Sequence, residues 1–475
     1  MSEKVYQAIA TARSGFVEAP AGCGKTEAIV RTVATYCSGT QLILTHTHAG
    51  VDALRKRFRE HKVPSDKYHV DTIAGWAWGW VRKYPTNAVY GGAGDIADWD
   101  RVYAAMTTLL QKDFVRLGIL NSYDGVIVDE YQDCTPPMHE LVAELKQLLP
   151  CRILGDDLQG IFQFGGDALV DWTTMKAEFV INLGSLTTPY RWVKAQNERL
   201  GNWLLEARAE FRRGSEPGYT SSPLTRRTLS YAHVGTYLAG LRFKPSERVC
   251  VIGPKNRPIF RSAETILVNR GYRVLEANEL PSLRTLIAAL SEASARDKAD
   301  ALMAFFTRAH GGWPAGEQEF LDKLFRGIEQ KVRRADRKAL CEKYQNCIAP
   351  EFLVAVLAYV AGLAEVSCKL RDSVSALKCI LERHIETGTG LKTLYAEELA
   401  ARKYQNRSNA FRCIGSTLLV KGLEFDHVVV LRDTKWVGSW GTYKDLYVAL
   451  TRGTKSVTLV DLIRPAVDAR SATNA

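Results

Sequence analysis

Short apolar, β-branched runs alternate with longer stretches of helical periodicity through residues 14–200. The runs Gly15–Glu18, Gln41–Thr45, Gly125–Val128 and Arg152–Leu154 read as strands, each followed by a polar or glycine-rich turn. That alternation predicts a parallel sheet wrapped by helices, with ligands bound at the C-terminal ends of its strands. A second set, Arg248–Ile252, Thr417–Leu419, His427–Leu431 and Ser456–Val460, predicts another sheet. Between them, from about Pro281 to Arg407, helical periodicity dominates. The expected organisation is a first α/β domain over 1–185 with a small insertion at about 81–120, a second over 186–280 and 408–475, and a helical insertion over 281–407. The longest apolar run, Phe352 to Ala364, is shorter than the roughly 20 residues that cross a bilayer and predicts a buried helix.

Composition narrows the class. Hydrophobic residues make up 46% and charged residues 24% of the 475 positions, which supplies packed cores without a bias to disorder. Lys and Arg number 63 against 52 Asp and Glu, a formal charge of +11. Such a surplus favours polyanions but does not separate nucleic acid from a membrane surface. The opening Met1-Ser2-Glu3-Lys4 leads into no apolar leader, so a cytoplasmic protein with no membrane association is expected. The 10 Cys are scattered, with no Cys-x-x-Cys spacing. Cys341, Cys347, Cys368 and Cys379 share one helical stretch and could hold a metal; ordinary small core residues are the favoured reading.

Two segments carry recognisable chemistry. Ala19-Pro20-Ala21-Gly22-Cys23-Gly24-Lys25-Thr26 follows a strand and opens a helix, the setting of a phosphate-binding loop, although the strict pattern begins with Gly rather than Ala19. Small residues let backbone N–H groups close around phosphates, and the helix N-terminus adds partial positive charge. Lys25 is expected on the β- and γ-phosphates of ATP and Thr26 on Mg²⁺. Tyr123 to Glu130 is an apolar strand ending in two acids: Asp129 is placed to hold Mg²⁺ through water, Glu130 to polarise the attacking water. Together the two segments predict a nucleoside-triphosphate hydrolase.

The string Asp129-Glu130-Tyr131-Gln132-Asp133 is more specific than an acidic pair, and with further segments it resembles the UvrD/Rep-type branch of superfamily 1 helicases. Leu154 to Phe162 looks like that family's third motif, whose Gln (here Gln159) contacts the γ-phosphate and whose following aromatics (Phe162, Phe164) support a single strand. Leu186 to Arg191 is similar to the fourth, whose Arg approaches the γ-phosphate. Lys421 to Asp426 resembles the fifth, its Glu424 meeting the nucleotide sugar. Leu446 to Arg452 resembles the sixth, making Arg452 the arginine finger. Leu44 to Ala49 occupies the place of a DNA-contacting segment, with Thr45 and His48 as candidates and Ala49 where the family usually has Lys. Asp71-Thr72-Ile73 corresponds to the next such motif, and Gln7 to the adenine-reading Gln. Ser416, Thr417 and Leu418 stand where the family commonly has Thr-Ile-His.

The resemblance implies an α/β fold of two RecA-like P-loop domains with parallel sheets, plus small helical insertions, that close on one ATP. It implies an ATP-dependent DNA motor that binds single-stranded or partly duplex DNA and moves 3′ to 5′. The chain is also similar to compact members such as the helicase-like subunit of the Gabija antiphage system. That likeness implies the alternative, a DNA-sensing ATPase subunit beside a nuclease partner of the overcoming-lysogenisation (OLD) family. A P-loop enzyme acting on a small molecule is the third reading. Weaker features each carry two readings. Phe162 and Phe164 stack on bases or pack under a loop. Trp76 and Trp80 are expected in the core rather than in a stacking ladder with Trp78. Lys331, Arg333, Arg334, Arg337 and Lys338 track a phosphate backbone or form a solvated helix face. His46 and His48 form a metal pair or, the better fit, line a DNA groove.

Overall fold

The computed structural model describes residues 2–90, 99–161, 168–253, 258–275, 280–292, 294–328, 332–343, 349–408, 411–433 and 442–463. Two six-stranded sheets organise the chain. The first contains β1 (Ser14–Glu18), β2 (Gln41–Thr45), β3 (Tyr68–Thr72), β4 (Gly125–Val128), β5 (Cys151–Gly155) and β6 (Asn182–Ser185). Its order is β3-β2-β4-β5-β1-β6, and every pairing is parallel. Every position of β2, β4 and β5 is buried, as a parallel sheet covered on both faces requires. Val17, Ile43, Ile127 and Leu154 pack with Ile29 and Val33 of helix Lys25–Tyr36 and with Leu54 and Phe58 of helix His48–Glu60. Burying a side chain of this size contributes about 1.5–3 kcal/mol. This rigid layer carries the loops above it.

The second sheet contains β7 (Thr225–Ser230), β8 (Val249–Ile252), β9 (Arg273–Leu275), β12 (Arg412–Gly415), β13 (Phe425–Asp433) and β14 (Gly453–Ile463). It is again all parallel, in the order β7-β14-β13-β8-β12-β9. The strand expected at Thr417–Leu419 is instead a short helix, Thr417–Val420, and the strand lies earlier, at β12. A brief apolar run does not reveal its period, and here Ser416 in extended conformation starts a helical turn. Residues 99–122 supply helices Trp99–Leu109 and Asp113–Ser122; the first packs on helices Ile73–Val81 and Pro136–Leu148.

Both sheets belong to one compact unit, and Ala277–Gln405 falls in another. Helices Pro281–Glu292, Ala295–Ala309, Pro350–Ala361 and Arg371–Thr387 form its core through Leu283, Leu302, Phe352, Val356 and Ile380. A two-stranded antiparallel ribbon joins β10 (His310–Gly311) to β11 (Ser367–Cys368). The apolar run from Phe352 is thus a core helix, and no helix among the described residues is long and apolar enough to cross a membrane. Part of the basic run is exposed, as the solvated-face reading expects: Arg333, Arg334 and Lys338. Arg337 and Arg334 donate to Glu317 at 2.6 and 3.3 Å, and Tyr359 O–H donates to the same carboxylate. Glu317 is fully enclosed, so the two cations neutralise a buried acid; Lys331 lies outside the described residues. Cys379 donates to Glu398 at 3.3 Å, and Cys347 lies outside the described residues.

Candidate nucleotide site

β1 ends at Glu18, and the chain turns through Ala19–Gly24 before helix Lys25–Tyr36 begins. Ala19, Pro20, Ala21 and Cys23 are buried. Gly22 and Gly24 adopt φ of 71° and 84°, the left-handed region where glycine carries no Cβ penalty. Gly24 caps the helix with no side chain on its first N–H groups, which leaves a helix N-terminus open to an anion. Bonds from outside anchor the loop: Ala19 N–H donates to the Gly155 carbonyl at 2.9 Å, Ala21 N–H to Asp156 Oδ2 at 3.1 Å, and Arg191 N–H to the Gly22 carbonyl at 3.1 Å.

Lys25 reaches from the first helical turn to the acids beyond β4. Its Nζ lies 2.8 Å from Glu130 Oε2 and 3.8 Å from Asp129 Oδ1. Burial works against the ammonium charge, but Glu130 and Asp129 outweigh it and hold the pKa above its ordinary value. The acids diverge. Burial pushes Asp129 up against the pull of Lys25; for Glu130 burial is overcome by Lys25 and Lys421, which keep it ionised. Glu130 also has φ of 57°, a conformation that costs a non-glycine residue about 1–3 kcal/mol and clusters at functional sites. Its carboxylate accepts from Gln132 Nε2, and Gln132 Oε1 accepts from Asp156 N–H at 2.9 Å. Thr26 is half-buried one position past Lys25. A hydroxyl there and the Asp129 carboxylate are hard oxygen donors, the set that suits Mg²⁺.

The second sheet's elements complete the arrangement. Arg452, 1% exposed, donates through Nη2 to Gln159 Oε1 at 3.2 Å and through Nε to the Val448 carbonyl at 3.0 Å. Burial, with Arg191 nearby, lowers its pKa to about 10. Gln159 Nε2 in turn donates to Asp156 Oδ2 at 2.8 Å. Lys421 grips Asp133 at 2.5 and 2.7 Å and the Gln159 carbonyl at 2.6 Å. Arg191 donates to the Thr451 carbonyl at 2.8 Å and pairs with Glu424 at 2.7 Å; Trp192 Nε1 donates to the Gly453 carbonyl at 2.9 Å. Lys25, Asp129, Glu130, Gln159, Arg191, Glu424 and Arg452 therefore stand in one connected set.

Other expected residues fall elsewhere. Gln7 is exposed on helix Ser2–Thr11, and among the described residues no bond joins it to the set above. Thr45 and Thr72 are register partners at the ends of β2 and β3. Both are buried, and the Thr72 hydroxyl accepts from Gly75 N–H at 2.9 Å as a helix cap. His48 is exposed at the start of its helix. His46 lies 3.5 Å from Cys134 Sγ and is held neutral by burial, aided by Lys421, at a pKa of about 4. Trp76 is in the core, whereas Trp78 and Trp80 are half-buried against Tyr90 and Tyr84. Phe162 and Phe164 lie outside the described residues.

Arg208 is a member that sequence reasoning missed. It sits on helix Glu198–Arg212, whose buried face also carries Leu200, Leu204, Ala207 and Phe211. An arginine on the apolar stripe of an amphipathic helix was the available signal.

A family model described as an AAA domain matches residues 2–165, a stretch that takes in the phosphate loop, the acid pair and Gln159. Comparison with curated proteins gives no match. Among solved structures, the arterivirus nonstructural protein 10 helicase is similar with a TM-score of 0.37 and 11% identity, over 97% of this chain and 62% of that one. Its complex with DNA gives 0.35 and 11%, over 97% and 63%. The PRRSV helicase gives 0.34 and 11%, over 97% and 54%. The chain spans less than two thirds of the length of each. The fold has two six-stranded parallel sheets, and the AAA match falls on the one that carries the phosphate loop.

Proposed function

We propose that the chain is an ATPase whose two sheet-bearing lobes close on one ATP, and that it works as a DNA motor of the superfamily 1 type. The observation that carries this reading is the bond from Arg452, beside β14, to Gln159, beyond β5, within a site whose Lys25 already faces Glu130. A phosphate loop needs no such reach from a second lobe to bind nucleotide; hydrolysis does, because the transferring phosphoryl group must be surrounded by fixed charge.

In this reading Lys25 exchanges Glu130 and Asp129 for the β- and γ-phosphate oxygens. Glu130, ionised in place, accepts a proton from water as its oxygen forms the new bond to the γ-phosphorus and the bond to the β-phosphate oxygen breaks. Magnesium, when bound at Thr26 and Asp129, supplies further charge neutralisation. Gln159 fixes the Arg452 guanidinium, and Arg452 and Arg191 offset the charge that develops; an arginine in this role contributes about 10³–10⁵ in rate. Attachment to a DNA strand and 3′ to 5′ movement rest on the resemblance of the motifs and on the formal charge of +11.

The test is ATP turnover with and without single-stranded DNA. Lys25→Ala is expected to abolish turnover, and Arg452→Ala to lower it by about a hundredfold or more with ATP affinity little changed. Turnover indifferent to DNA would overturn the motor reading, and normal turnover in Arg452→Ala would overturn closure on one ATP. Tailed duplexes then separate the two DNA-linked functions: unwinding marks a motor, while DNA-stimulated turnover without unwinding marks a sensor subunit that regulates a partner such as a nuclease.

A further inference from the structure

Asp156 is the most heavily engaged acid at the junction of the lobes. Its side chain is fully enclosed and accepts from five donors. Three come from its own lobe: Ala21 N–H at 3.1 Å, Leu158 N–H at 3.2 Å and Gln159 Nε2 at 2.8 Å. Two come from the other: Arg208 Nη1 at 2.7 Å and Tyr447 O–H at 3.3 Å. Arg208 Nη1 also donates to Tyr447 Oη at 2.8 Å, and its Nη2 to Asp157 at 3.1 Å. Tyr447 lies on helix Tyr443–Leu450, which ends two residues before Arg452.

A buried carboxylate needs a cation, and among the described residues the one bonded to Asp156 is Arg208. Asp156 is also what holds the amide of Gln159 with its oxygen towards Arg452, and it ties down the phosphate loop at Ala21. Withdrawing the helix that bears Arg208 would leave that charge buried without its counter-ion. The carboxylate would have to turn to water, releasing Gln159 and Ala21 as it did so.

We propose that Arg208 is a positioning residue that reports lobe closure to the reacting centre: its guanidinium, by neutralising Asp156, sets the Gln159 amide and through it Arg452. The inference rests on the ATPase reading above and adds the residue that makes turnover conditional on closure. Asp156, Gln159 and Tyr447 fall within the motif strings of the resemblance; Arg208 falls in none of them. Its role follows from where the folded chain places it.

The experiment uses the full chain and compares wild type, Arg208→Gln, Gln159→Ala and the double variant. It measures kcat and KM for ATP, the affinity for a fluorescent non-hydrolysable ATP analogue, and the thermal unfolding midpoint. Arg208→Gln is expected to lose about tenfold or more in kcat while analogue affinity changes less than about threefold. The double variant is expected to be no slower than Gln159→Ala alone, because Arg208 acts through Gln159. Should Arg208→Gln not fold, Arg208→Lys takes its place: it keeps a charge on Asp156, loses the fork that also reaches Tyr447 and Asp157, and is expected to show the same pattern at smaller amplitude. Wild-type kcat in the Arg208 variant, or losses that multiply in the double variant, would overturn the inference while leaving the ATPase reading intact. Absence of Lys25-dependent turnover in the wild type would overturn that reading and this inference together.

Discussion

The phosphate loop is built against a tryptophan, which makes one glycine measurably different from its neighbour. Gly22 adopts φ of 71°. A Cβ placed there would lie 2.6 Å from Trp192 Cζ3 and 2.9 Å from Arg191 Cβ. Trp192 is 1% exposed, and its indole N–H is committed to the Gly453 carbonyl at 2.9 Å, so the ring has nowhere to go. Gly22→Ala therefore incurs about 1–2 kcal/mol for the left-handed backbone and about 1–3 kcal/mol for overpacking, or about 2–5 kcal/mol altogether. At Gly24, with φ of 84°, the nearest atom to a Cβ is Tyr190 Cδ2 at 3.0 Å, and Tyr190 is 44% exposed and can move outward. Gly24→Ala is expected to incur the backbone cost alone. Urea unfolding of the two variants measures the difference directly. Trp192→Leu made in the Gly22→Ala background should cost less than Trp192→Leu in the wild type, since it removes the clash. Equal destabilisation by the two alanines, or no relief from Trp192→Leu, would refute the packing argument.

Lys421→Ala leaves Asp133, 6% exposed, without its cation, and truncation of one partner in such a pair costs about 3–5 kcal/mol; the shift in urea midpoint checks it. Glu317→Gln removes the anion shared by Arg337, Arg334 and Tyr359 and should destabilise the helical unit by about 1–3 kcal/mol. Burial opposes the Glu317 charge, but bonds from Arg337 and Tyr359 outweigh it and depress its pKa. Its contribution is therefore complete above the ordinary glutamate range near about 4.3 and is lost as pH falls through the depressed value. The gap between wild type and Glu317→Gln in thermal unfolding should close as pH drops below about 4.3, and a gap that persists in acid would remove the ion pairs as its cause.

What the sequence revealed tracks where the physics is local. β2 and β4 are apolar at nearly every position because both faces are covered, and their runs stand out without ambiguity. The phosphate loop and the acid pair are legible because phosphate chemistry demands particular residues in adjacent positions. β7, in contrast, is an edge strand with the polar sequence Thr225-Arg226-Arg227-Thr228, exposed at all of these positions. It pairs with β14 through backbone bonds that no side-chain pattern announces. The Lys421–Asp133 pair joins residues 288 apart, and no periodicity spans that distance. The basic run near Arg334 was legible only in part: Arg333 and Lys338 are exposed, but charge in sequence does not disclose whether an acid waits beneath it, and Glu317 pairs with Arg334 and Arg337.

The junction between the lobes has the composition expected of a switch rather than of a hinge that opens by degrees. Its polar groups are enclosed, and cations from the second lobe meet acceptors on the first: Arg208 on Asp156, Lys421 on Asp133, Arg452 on Gln159. Buried pairs of this kind add little net stability, because desolvation consumes most of the attraction. A half-opened arrangement is far worse than either end state, for it keeps the charges from water without their partners. If the lobes part as proposed, intermediate separations are therefore expected to be the least populated, with the junction fully mated or fully hydrated. A nucleotide whose terminal phosphate rewards only the mated state would bias that choice by its differential affinity alone, and turnover would remove the bias in one step.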